Sequence, residues 1–228
     1  MVRGMAERAK SRVIGATVGP ELDEQRLDPF GDDWVQPGFA LEYVELGPDT
    51  SLAGAIAGSG TFSQMRINGS DLSGTKLRGV SLRDVVARNV NAANADWTAA
   101  RMNRVVVERA SLTGMQLRES EISETTFREC KFDYVNFRIA KLRNVTFDGC
   151  SLADADFGGA QLDNVRFADC RLSRVEFPGA ELTRVDMRGS TLGVNDAFAL
   201  RGAIISPVQL IDLAAGLAHA AGITVTDG

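Results

Sequence analysis

His219 is the single histidine of the 228-residue chain, and it could act as a general acid or base only beside a carboxylate or a nucleophile. Its surroundings, LAAGLAHAAG, hold neither. It reads instead as a polar residue suited to the C-terminal end of a helix, where the helix dipole favours it. Cys130, Cys150 and Cys170 could bind a soft metal or form a disulfide, but an odd count without a C-x-x-C pair supplies neither partner nor fourth ligand. All three fall in a series of small residues described below, where a thiol behaves as a small apolar group. No Gly-rich phosphate loop, Ser/His/Asp set or helix-borne carboxylate pair is present, and Gly69, Gly74, Gly79, Gly149 and Gly159 recur where turns want them. These residues predict a chain that is not an enzyme and needs no metal or cofactor.

The elements that place them follow from a period. Stepping by five from Phe62 to Leu192, every residue is apolar, through Leu72, Trp97, Phe127, Phe147 and Phe167 among others. Two residues before each lies a second series of small or modest side chains, including Val80, Ala95, Val105, Cys130, Ala140 and Val165. A helix would smear such a series around its surface and a flat strand would split it between two faces. A coil that turns a corner every five residues keeps all of it inside. Like residues also recur at 20: the three cysteines, Phe127/Phe147/Phe167, Phe137/Phe157/Phe177 and Leu142/Leu162/Leu182. Four pentads therefore make one turn of a four-sided coil, with rungs about 4.8 Å apart if they pair as parallel strands.

The stretch CKFDYVNFRIAKLRNVTFDGCSLADADFGGAQLDNVRFADC resembles the pentapeptide-repeat family, and the resemblance runs from about residue 50 to 193. It implies an all-β fold, a right-handed four-sided parallel β-helix of about seven turns, closed here by a C-terminal capping α-helix. The expected organisation is a disordered N-terminus over 1–25, an N-terminal cap segment over 26–49, the β-helix over 50–195 and a C-terminal segment over 196–228. Phe30, Trp34, Phe39 and Tyr43 suit a plug over the first rung, or an aromatic binding loop. Ser206, Pro207 and Gln209 form a helix start with N-cap, first-turn proline and capping-box partner. Leu210, Leu213, Ala214 and Leu217 then give an apolar face that caps the rod or buries against a second chain as a homodimer.

Function is harder to read. The net charge of -5, with 44% hydrophobic residues, points to neither nucleic acid nor membrane, and no apolar run is long enough to span one. The expected location is cytoplasmic. Some pentapeptide-repeat proteins protect type II topoisomerases by mimicking DNA with an acidic rod, so the resemblance implies DNA gyrase as a protein partner and antibiotic self-resistance as a role. Residues 60–195, however, carry 19 Lys plus Arg against 17 Asp plus Glu, whereas a phosphate mimic needs an ordered negative surface. Arg88, Glu108, Arg128 and Asp148 fall one rung apart and predict an ion-pair ladder of small worth. Two outward features remain: Tyr134 and Ile139, with Asn136, Arg118 and Arg138 nearby, and the pair Val86 and Val106. Either is a protein-binding patch or scattered surface hydrophobes. The reading is thus a non-catalytic interaction module, the alternatives being a structural scaffold or a β-helix enzyme.

Overall fold

The structure is a computed structural model that describes residues 17–23, 26–29, 37–194 and 197–226. Its body is a four-sided parallel β-helix of about eight turns. Six eight-residue strands, from Thr61–Asn68 to Gln161–Ala168, each bend around one corner and stack in parallel on the next. The other two walls pair through single bridges such as Lys131 with Ser151 and Asn136 with Asp156. Through the body of the coil partners sit 20 residues apart, as Phe127 with Phe147 and Val145 with Val165.

The corners explain the pentad. Every fifth residue from Gln64 to Gly189 is left-handed, with φ between 48° and 84°. Gly, Asn and Asp accept that conformation most readily, which is why they crowd these positions. Between corners, the central residue of each pentad and the one two before it point inward and are buried. The phenylalanines pile into two columns: Phe127, Phe147 and Phe167 stack with centroids 5.1 and 4.9 Å apart, and Phe137, Phe157 and Phe177 with 4.8 and 5.2 Å. Where the core is lined by Ala87 and Ala92 instead, an apolar cavity of about 30 Å³ remains beside Trp97 and Val107. Polar inward residues find partners: the Trp97 indole N–H donates to Thr75 Oγ1 at 3.0 Å, and that hydroxyl donates to the Leu72 carbonyl.

The coil begins before residue 50. Ala40–Glu42 and Val44–Leu46 already pair in parallel with Thr61–Asn68, but at an offset of 21 rather than 20. One extra residue between Leu46 and Leu52 hides this turn from the pentad phase. Phe39 closes the lower end, its ring centroid 5.0 Å from that of Phe62. Gly60 is what admits it, since a Cβ there would lie 2.2 Å from the Phe39 ring. Phe30 and Trp34 lie outside the described residues. Tyr43 is half-buried under the Arg26 guanidinium, 3.9 Å from its ring centroid. At the upper end the register slips by one residue, Val175 pairing with Val194, and a 3-10 turn at Ala197–Leu200 leads toward the helix Pro207–Ala220.

That helix starts as the sequence dictates, with Ser206 and Gln209 exchanging both capping-box hydrogen bonds. The face it lays on the rod holds two of the four expected residues. Gln209 and Leu213 are buried and Leu217 packs against the core, whereas Leu210 and Ala214 are exposed. The cause is Gln209, whose side-chain amide donates to the Met187 and Ser190 carbonyls at 2.7 Å each. The Met187 carbonyl also accepts the Ser190 N–H, and the two bonds from Gln209 hold the helix with its 209/213/217 row facing the rod.

Candidate functional site

Tyr134 and Ile139 occupy two successive corners of one rung, flanking the wall that carries Asn136 and Arg138. Both have φ of 59°, and both are exposed, at 62% and 54%. From residue 64 to 189 no other corner holds an aromatic or a β-branched side chain. Such residues pay a steric penalty of about 1–2 kcal/mol in this conformation, and exposure returns no core packing. Gly159 and Gly179 follow Ile139 up its edge, and a Cβ added at Gly159 would come into ordinary contact with Ile139 Cγ1, so the isoleucine stands as a ridge beside residues without side chains.

The polar members of the expected patch are already engaged. Arg138 Nη1 pairs with Asp156 Oδ2 at 3.1 Å, folding over Gly158, and Arg118 Nη2 pairs with Glu119 Oε1 at 3.0 Å. Asn136 donates to Gln116 Oε1 at 3.0 Å and accepts from the Arg138 N–H. Tyr134 faces Asp154, whose carboxylate takes a bidentate clasp from Arg174 at 2.6 Å on each oxygen. Arg174 above all, with Tyr134 contributing, holds the Asp154 carboxyl below its ordinary range. Around this rung Arg118, Arg138 and Asp154 are therefore all paired, and Tyr134 and Ile139 stand as the apolar side chains at the two corners of the wall.

The Val86/Val106 wall proves to be a different object. Val86 and Thr126 are buried although they point away from the core, because residues 17–23 run down this wall. Thr17 Oγ1 lies 2.9 Å from Thr126 Oγ1, the Val18 N–H donates to Glu124 Oε2 at 2.9 Å, and the Glu21 N–H donates to Asp84 Oδ1 at 3.1 Å. Of the range 1–25 expected to be disordered, residues 17–23 are placed on this wall and the others lie outside the described residues; Val86 is thus not part of an open patch. The predicted ladder forms in part: Arg88 and Arg128 hold Glu108 from both sides, at 2.8 and 3.1 Å.

The cysteines form an inner column. Each Sγ lies within 3.5 Å of a carbonyl 23 residues earlier, Cys130 on Val107, Cys150 on Phe127 and Cys170 on Phe147, and Ser190 Oγ donates to Phe167 in the same way. The column explains why Cys, Ser, Ala and Val interchange in the small series. The neighbouring Cys150 thiol and burial together push the Cys130 thiol up, against ready ionisation. Among the described residues no group of three or more His, Cys, Asp or Glu is placed to hold a metal ion, and no helix is long and apolar enough to cross a membrane.

Comparison with known family models agrees with the period. Residues 100–177 match the model of the pentapeptide repeat region and residues 49–84 that of the pentapeptide repeats, together half of the chain. The chain belongs to the pentapeptide-repeat family. No curated protein matches it. Among solved structures it is similar to full-length QnrB1, a plasmid-mediated fluoroquinolone resistance protein, at 16% identity and TM-score 0.47, covering 84% of this chain and 95% of that one. It is also similar to HetL, involved in heterocyst differentiation regulation in the cyanobacterium Nostoc sp. strain PCC 7120, at 20% identity and TM-score 0.30, covering 76% and 86%.

Proposed function

We propose that this chain is a non-catalytic interaction module that presents a rigid, charge-paired wall to a protein partner and grips it along the edges formed by Tyr134 and Ile139. The observation that supports this is the pair of large apolar side chains in left-handed, exposed corners. Backbone strain that brings no packing is the kind that accumulates at binding sites, and a half-exposed tyrosine is a favoured anchor. A type II topoisomerase such as DNA gyrase, with a role in antibiotic self-resistance, is the most concrete partner class that family membership offers. The near-neutral coil, with its carboxylates clasped by arginines, argues for contact by shape and apolar edges over phosphate mimicry. Cytoplasmic location fits such a partner. A homodimer burying Val208, Leu210 and Ile211, exposed on the outer face of the capping helix, fits the rod's closed upper end.

The test is a supercoiling assay with purified gyrase at two salt concentrations. The expected result is no strong inhibition and no rescue from quinolones at about micromolar protein. Potent inhibition that collapses with salt would restore charge mimicry, because counterion release makes such binding steeply salt-dependent.

A further inference from the structure

The wall opposite the Tyr134–Ile139 ridge is unlike the other three. Two of its outward side chains, Val86 and Thr126, are buried, and along it run residues 17–23, a segment that makes no backbone-to-backbone hydrogen bond with the coil. The segment is held by carboxylates instead: the main-chain N–H groups of Val18 and Glu21 donate to Glu124 and Asp84, two rungs apart in one corner column. Between them Arg104 clasps Asp84 through both carboxylate oxygens, at 2.6 and 2.5 Å, and fixes its direction. Burial opposes the Asp84 charge, yet the Arg104 fork and the Glu21 N–H keep the carboxyl below its ordinary range. One rung further down the same column, Gln64 Oε1 is buried and has no hydrogen-bond partner among the described residues, an acceptor left for another N–H.

We propose that this wall is a docking groove for an extended peptide, with acceptors at Glu124, Asp84 and Gln64 reading main-chain N–H groups over the apolar floor of Val86 and Val106. In this chain the groove is latched by its own residues 17–23. Nothing in the recognition depends on the segment belonging to the same chain. A partner's extended segment with small β-branched side chains fits the same acceptors, and it must displace the latch to bind. The tether raises the latch's effective concentration and so sets the threshold for such a partner.

The test uses the full chain. Val18→Pro with Glu21→Pro removes both N–H donors and leaves the wall untouched; melting and circular dichroism verify the coil. A fluorescein-labelled peptide of residues 1–23 is then titrated into both proteins and followed by polarisation. The expected result is saturable binding to the double-proline protein, at least tenfold weaker binding to the unmodified chain, and at least tenfold weakening when Glu124→Ala, which removes the acceptor, is added to the double-proline protein. No saturable binding to the folded double-proline protein, equal binding to both chains, or indifference to Glu124→Ala would each overturn the proposal.

Discussion

Phe147 lies flat between its neighbours one rung away, its ring 4.9 Å from that of Phe167 and only 5° out of parallel. Phe127 stacks on its other face and Phe132 and Phe137 meet it edge-on. Truncation here opens a cavity that a ladder of fixed rungs cannot close by collapse. Phe147→Ala is expected to cost about 3–5 kcal/mol in denaturant unfolding; an unchanged midpoint would contradict the stacked core.

The opposite substitution applies nearly three turns lower, where Ala92 borders the cavity of about 30 Å³. Ala92→Val should fill part of it and raise stability by about 0.5–1 kcal/mol. A lower melting temperature would mean that the space is too narrow for the added methyl groups.

How much of this was legible in the chain depends on the kind of force involved. The inner columns are a matter of period, and period survives in a sequence: Phe62 to Leu192, the cysteine column and the helix start at Ser206 are where spacing puts them. The turn at 40–46 was hidden because a single residue between Leu46 and Leu52 breaks the phase while the strand still pairs. Gln209 was legible as a capping-box partner but not as the donor that closes the last rung, since that role depends on carbonyls 19 and 22 residues away in the chain. The course of residues 17–23 left no periodic trace at all, because side-chain carboxylates hold it rather than a ladder. Tyr134 and Ile139 could be picked out as misfits at outward positions, but their left-handed backbone came only with the corner geometry.

The stability should depend on pH in one direction. Glu108, Asp154 and Asp186 are held below ordinary carboxylate values, chiefly by Arg88, Arg174 and Arg188 respectively. A depressed folded-state value adds stability that is fully present above the unfolded value of about 4 and is lost as pH falls through the folded one. The melting temperature is expected to be steady from about pH 7 to 5 and to drop below about pH 4. A rise in stability on acidification would contradict the clasped carboxylates.

Cys130, Cys150 and Cys170 are all buried, so their thiols should be silent to a disulfide reagent in the folded protein at mildly alkaline pH and react fully once it is unfolded. Rapid native-state reaction of any of the three would place it outside the inner column.

Ile139 connects the fold to the proposed function. Ile139→Asn puts a residue that tolerates the left-handed corner in place of one that does not, and is expected to stabilise the coil by about 1 kcal/mol. A residue retained against the fold's own preference is explained if the partner needs it.

The most direct measurement of that claim is a side-by-side capture from the source cells, using the unmodified chain and the Tyr134→Ala/Ile139→Asn variant as baits, each verified as folded. The account predicts one protein that the unmodified chain retains through a high-salt wash and the variant loses, although the variant melts no lower. The same protein held equally by both baits, or one released from both by salt alone, would contradict it.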